Sequence, residues 1–180
     1  MPIRGRYSRR VPLTLRPYAE ADLTRLVDLN NAAYPAVPIV GQSELDGLIA
    51  LSSLALVAAD DDGLAHGFLL ALDPGADYAS ENYLYFSERA ASTGRSSLYI
   101  DRIVIDEAAR GAGLGRRFYE AAFERAAADG RDEVTCEVNI EPPNPESLAF
   151  HGRMGFERIG EQETKGGRVI VALLSAPVSR

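Results

Sequence analysis

The segment Arg110-Gly111-Ala112-Gly113-Leu114-Gly115 constrains this chain most: glycine alternates with larger residues between the apolar run Leu98 to Ile105 and an amphipathic stretch that follows. Glycine lets a backbone adopt positive φ and approach a ligand closely. Where such a turn opens a helix, unpaired N–H groups and the helix dipole make a site suited to a phosphate or pyrophosphate anion. Arg110 and Arg116 add positive charge beside it. Glycine-rich turns serve several kinds of nucleotide binder, so the context must discriminate. A Walker-type loop would end in Gly-Lys-Ser/Thr, which is absent, and a dinucleotide fold would place the turn near the start of a βαβ unit rather than after 100 residues.

Periodicity supplies the elements around that turn. Leu98 to Ile105, interrupted only by Asp101 and Arg102, predicts a central strand covered on both faces. Leu114, Phe118, Ala121, Ala122 and Ala126 mark one face of a helix that Gly130 stops, and Val134 to Ile140 predicts a further strand. Upstream, Val11 to Arg16 alternates like a short strand and Pro17 breaks it. Asp22 is placed to cap a helix carrying Leu23, Leu26, Val27 and Asn30, and Ser43 with Asp46 opens a second helix through Leu51. Leu54 to Ala59 and Ala65 to Leu72 form a hairpin about the turn Asp60 to Gly63. Downstream, Glu146 to Met154 reads as a short helix, and Phe156 to Gln162 with Arg168 to Leu174 as a closing antiparallel pair. The stretch Asp73 to Ser97 reads as irregular, with Tyr78, Tyr83, Tyr85 and Phe86 clustered in it. It either folds over a substrate or forms a peripheral helix packing its rings on the sheet or on a partner subunit.

Composition bounds the function. At 180 residues, with 46% hydrophobic and 25% charged residues, the chain suits one compact domain. No apolar run reaches the length of a bilayer span and the N-terminus lacks the apolar core of a secretory signal, so a cytoplasmic location with no membrane partner is expected. Residues 1–19 carry five arginines and no acid, so the remainder sets 26 acidic residues against 14 basic ones. That body disfavours nucleic-acid backbone and mildly favours a cationic substrate. Cys136 lies in an apolar run and reads as a buried thiol, and two histidines with one cysteine, widely spaced, offer no metal site. His66 has no partner that the sequence reveals, while Tyr119 and Phe123 read as packing residues.

A second motif follows the turn at a telling distance. Asn144, Ser147, Leu148, Ala149 and Phe150 precede Met154-Gly155-Phe156, with His151 between them. The order of strand, Arg-Gly-x-Gly-x-Gly, helix, strand, Asn-x-x-Ser-Leu-Ala-Phe and Met-Gly-Phe resembles the acetyl-CoA-binding half of the GCN5-related N-acetyltransferases, in detail over Tyr99 to Phe156. The resemblance implies an α+β (mixed α/β) fold: a mixed, mostly antiparallel sheet of about seven strands splayed between the fourth and fifth, with about four helices. It also implies a catalytic domain over residues 13–177, preceded by a basic arm at residues 1–12.

By the same resemblance, acetyl-CoA is the cosubstrate. Arg110, Gly111, Ala112, Gly113, Leu114, Gly115 and Arg116 would hold its pyrophosphate, and backbone amides near Ile103, Val104 and Ile105 its pantetheine and thioester carbonyl. Asn144 and Ser147 would sit beside the pantetheine arm. An amine attacking the thioester directly must first lose a proton, because an ammonium with a pKa of about 10.4 is not nucleophilic at neutral pH. Asp101 is the candidate base, on the same face as Tyr99, with Glu137 on the next strand a weaker one. The alternative is that Asp101 is simply ion-paired with an arginine. His151 stands where most relatives carry the tyrosine that protonates the leaving thiolate, and with a reference pKa of about 6.5 it suits a general acid or a base.

The expected function is acyl-CoA-dependent N-acyl transfer to the amine of a small molecule or peptide. The second reading is a noncatalytic acyl-CoA-binding module, and the third a nucleotide-phosphate binder in which ATP would compete with CoA. Acceptor specificity is expected from residues 32–42 and 73–97. The aromatic segment and the C-terminal hairpin are compatible with a homodimer.

Overall fold

The computed structural model describes residues 12–179; the basic arm expected at residues 1–12 lies, apart from its last residue, outside them. The chain runs β1 (Thr14–Pro17), α1 (Leu23–Ala32), α2 (Gln42–Leu51), β2 (Leu54–Ala59), β3 (Ala65–Leu72), α3 (Glu81–Thr93), β4 (Ser97–Ile105), α4 (Leu114–Ala128), β5 (Glu133–Glu141), α5 (Pro145–Arg153), β6 (Glu157–Thr164) and β7 (Val169–Pro177). The strands form one seven-stranded sheet in the order β1-β2-β3-β4-β5-β7-β6. Neighbours are antiparallel except β4 and β5. The expected mixed sheet is present, with five α-helices among the described residues where about four were expected.

The additional helix is α3, inside the stretch read as irregular. Ser80 caps it by accepting the Tyr83 N–H, and Gly94, in a left-handed conformation at φ 70°, stops it. Tyr83 and Phe86 point inward and pack on Tyr99 of β4, with ring centroids 5.5 and 5.6 Å away. Two other helix starts differ from expectation. The Asp22 carboxylate does not cap α1 but accepts two hydrogen bonds from Arg16 at 2.7 and 2.8 Å and one from the Ala19 N–H. α2 begins after Gly41 with no side-chain cap, so Ser43 does not open it.

Alternation along the strands gives the sheet two packed faces. Leu26, Leu45, Phe68, Leu70 and Tyr99 belong to the core under α1, α2 and α3. Leu69, Leu98, Phe118, Val134 and Phe156 belong to the core under α4 and α5. In β4 the alternation is broken by a bulge: Leu70 pairs with Arg102 and Ala71 with Ile100, so Asp101 is the extra residue. Asp101 and Arg102 consequently both reach toward the α1 and α3 side, and Ile103 and Ile105 turn to the α4 side. Strict period-two alternation would have reversed every residue from Arg102 onward.

The β4–β5 ladder is short. Only Ser97, Leu98 and Tyr99 pair with Glu133, Val134 and Thr135. Past that point the two parallel strands separate, and residues 100–105 have no strand partner on the β5 side. The closed end is fixed by Glu133, which is 1% exposed and held by Arg89 of α3, by Arg95 at 3.3 Å and by the Ser175 hydroxyl at 2.8 Å. Such a buried carboxylate is tolerable because charged and polar partners surround it.

Candidate active site

Where β4 and β5 part, a cavity of about 960 Å³ runs from the glycine-rich turn to the segments at residues 33–38 and 78–82. Its walls include β4 from Ile100 to Ile105, Cys136 to Asn139 of β5, and Asn144, Ser147, Phe150 and His151 around α5. The structure therefore brings both sequence motifs to one opening. Of the residues proposed for the cofactor, Ala112 alone is not on its wall.

At the turn, Gly111 and Gly113 have φ of 74° and 75°. A side chain there would meet nothing within 4 Å, so these positions require glycine for backbone conformation and leave open space above the turn. Gly113 is also the N-cap of α4 and supplies no side-chain acceptor to the first helical turn. By contrast, Ser80 and Asn144 cap α3 and α5 with their own oxygens. An uncapped helix start with open space before it, at the end of a long cavity, fits an anionic ligand group. Gly115 differs, since an added Cβ would lie 3.5 Å from the Phe150 ring and 3.6 Å from Ile105 Cδ1, in ordinary contact. Arg110 is exposed, and Arg116 is exposed and paired with Glu120 at 2.8 Å.

At the cavity's other end two carboxylates face one another's field. Asp101 accepts from the Tyr78 hydroxyl at 2.7 Å and from Arg102 Nε at 2.6 Å. The arginine is itself buried, and its second nitrogen donates to Asn30 at 2.8 Å. The ion-paired alternative for Asp101 is thus the arrangement present. Glu137, half-buried on the cavity wall, accepts from the Tyr99 hydroxyl at 3.0 and 2.9 Å and from Asn82 at 2.9 Å. Burial, and next the charge of Asp101, push the Glu137 carboxyl up to about 8. The same burial raises Tyr78 and Tyr99, so both hydroxyls stay protonated and donate.

His151 is buried and both its ring nitrogens are engaged, with the Ser147 hydroxyl a further 3.3 Å contact at Nδ1. Nδ1 lies 2.7 Å from the Ser147 carbonyl, which can only accept, so Nδ1 carries the proton and Nε2 accepts from the Tyr119 hydroxyl at 2.5 Å. Burial lowers the histidine pKa, keeping the ring neutral. Tyr119, read from sequence as packing, is held in ring contact with His151, Phe150 and Phe156 while its hydroxyl sits on the imidazole. Asn144 lines the cavity with its side-chain oxygen committed to the Ser147 N–H at 3.3 Å. Asn82 and Tyr78 were missed as individual site residues because the contacts that bring them to β4 and β5 come through α3 and the segment before it. Cys136 is buried, and desolvation raises its thiol pKa, which disfavours the thiolate that a nucleophile requires.

These features bear comparison with known proteins. The model of the acetyltransferase (GNAT) family matches residues 24–156. The chain belongs to that family. Among solved structures it resembles Ard1 from Thermoplasma volcanium, with a TM-score of 0.74, 16% identity, and 94% of this chain and 100% of that one covered. It also resembles Naa20 of Chaetomium thermophilum in complex with a bisubstrate analogue, with TM-score 0.72, 17% identity and coverage of 92% and 86%. A phosphinothricin acetyltransferase from Sinorhizobium meliloti in complex with acetyl-CoA matches with TM-score 0.67, 20% identity and coverage of 93% and 89%. At these identities the likeness is one of fold. No curated protein sequence matches the chain. Among the described residues this family member has no group of three or more His, Cys, Asp or Glu residues able to hold a metal ion, and no helix long and apolar enough to cross a membrane.

Proposed function

We propose that this acetyltransferase moves the acetyl group of acetyl-CoA to an amine by direct attack. The observation that supports this most is the continuous opening from the uncapped start of α4, along the unpaired edge of β4, to Glu137. Gly111 to Arg116 would take the pyrophosphate on backbone N–H groups, and the unpaired edge at Ile103 to Ile105 would hydrogen-bond the pantetheine. When bound, the cosubstrate supplies an acyl carbon activated as a thioester.

Glu137 is the base in this reading. A carboxyl titrating near 8 is a far stronger proton acceptor than an ordinary glutamate, yet remains ionised often enough near neutrality to act. Asp101, already engaged by Arg102 and Tyr78, positions Tyr78 and keeps the Glu137 pKa high. The Tyr119 and His151 pair, sharing an O–H···N bond at the cavity wall, is assigned to the proton that the departing sulfur must receive.

The test begins with calorimetric titration of acetyl-CoA and CoA into the wild type and Gly113→Glu. Binding that is lost in the variant supports the cofactor site, because the new side chain puts bulk and negative charge where pyrophosphate would sit. Unchanged affinity overturns it. Thiol release on adding amines then separates a transferase from a protein that only binds acyl-CoA.

A further inference from the structure

Two carboxylates sit at the acceptor end of the cavity, but in different company. Asp101 is compensated by the Arg102 guanidinium at 2.6 Å, which also bonds Asn30 and whose charge only partly offsets the burial of Glu137. Glu137 is bound only by neutral donors, the Tyr99 hydroxyl and the Asn82 amide. Hydrogen bonds to neutral groups do not replace a counter-ion for a carboxylate partly withdrawn from water. Of the other basic residues on the cavity wall, Arg110 and Arg116 stand at the glycine-rich turn, and Lys165 is exposed on the turn between β6 and β7. Its backbone N–H is taken by Glu81, a further acid at that rim.

The mouth has the opposite character. Ala33 and Pro35 to Pro38 line it, and Tyr34 and Ile39 in the same segment are each 62% exposed, the most exposed large apolar side chains in the described structure. Asn31 ties this segment down by bonding both the N–H and the carbonyl of Val40, so its apolar surface is presented on a fixed backbone.

We propose that the acceptor is a primary amine whose ammonium is the only charge it carries into the chamber, with an apolar body that lies against residues 33–38, and that amines bearing a carboxylate beside the amino group are rejected. This rests on the N-acyltransferase reading and narrows it. The ammonium is the counter-ion that Glu137 lacks. One N–H bond breaks as Glu137 takes the first proton. The freed electron pair then forms the C–N bond to the acyl carbon, the C–S bond breaks, the Tyr119–His151 pair gives the sulfur its proton, and the second amine proton, lost from the new amide nitrogen, replaces it on that pair. A carboxylate adjacent to that nitrogen would be carried in beside the Asp101 charge and would oppose the ionised form of Glu137 that must accept the proton.

The experiment follows thiol release by the full chain at saturating acetyl-CoA, with matched acceptors that differ only in the carboxylate: phenethylamine against phenylalanine, leucinamide against leucine, and tyramine against tyrosine. The expected result is a kcat/KM at least about 100-fold higher for the carboxylate-free member of each pair that reacts. Equal values, or a preference for the amino acids, overturns the substrate class and leaves the N-acyltransferase reading standing. Acetyl-CoA binding with no thiol release from any of the six amines overturns amine transfer itself, and this inference with it.

Discussion

Replacing Glu137 by glutamine keeps the side chain's shape and removes an ionisable carboxyl that has no cation in hydrogen-bond contact. The wild-type carboxyl titrates near 8 instead of 4.5, chiefly because burial disfavours its ionised form. At pH 7 it is therefore ionised in roughly a tenth of molecules, and kcat/KM should climb about tenfold per pH unit until it levels near 8. In the variant that limb should vanish and the plateau fall by about 10²- to 10⁴-fold. Stability should move the other way. A carboxyl whose folded pKa lies above its unfolded one contributes stability that is complete below the unfolded value and lost as pH rises through the folded value. The interval from 4.5 to about 8, at about 1.4 kcal/mol per pH unit, corresponds to a loss on the order of 5 kcal/mol in the wild type alone. Urea unfolding at pH 5 and pH 9 with no ligand present should thus show Glu137→Gln close to wild type at the lower pH and more stable at the higher. Parallel pH dependence of stability in the two proteins refutes the burial argument, and a rate limb near pH 8 that survives in the variant refutes the assignment of the base.

Four further substitutions test the geometry. Gly67 of β3 would set a Cβ 2.8 Å from the Val104 carbonyl and 3.4 Å from Ile105 Cα, so Gly67→Ala must push β4 at the cavity wall. A loss of about 1–3 kcal/mol in urea unfolding with weaker acetyl-CoA binding is expected, and neither change would mean that the strands yield freely. Gly113→Ala should cost about 1–2 kcal/mol because of its φ of 75°, whereas Gly115→Ala, inside α4 and in ordinary contact distance of Phe150, should be nearly neutral in thermal unfolding. Equal effects at the two positions would contradict the conformational argument. His151→Phe leaves the buried Tyr119 hydroxyl without its imidazole acceptor and should cost about 1–3 kcal/mol while slowing thiol release and sparing calorimetric acetyl-CoA affinity. A slowed rate with unaltered unfolding would show that the histidine does not support the packing around Tyr119.

The sequence by itself determined the frame: the strands and helices whose periodicity is strong, the central strand before the glycine-rich turn, the anion-ready start of α4, and the family. These are local signals, set by spacing and by the backbone freedom of glycine at Gly111 and Gly113, and they need no knowledge of distant residues. α3 was within reach of such reading, since Ser80 precedes a helix whose inward positions are Tyr83 and Phe86, but the loop-like residues before it obscured the signal. What tertiary structure alone decided is the company that Asp101 and Glu137 keep at the cavity's far end. The bulge at Asp101 reverses the faces of everything after it in β4, and a bulge is a property of pairing with β3. Which of Asp101 and Glu137 has a cation in contact depended on where Arg102, Asn30, Tyr78 and Asn82 arrive, the last two brought in by and just before α3. A carboxylate's pKa follows from its surroundings, and for Glu137 those surroundings come from α3, β4 and β5, which the chain order does not place side by side.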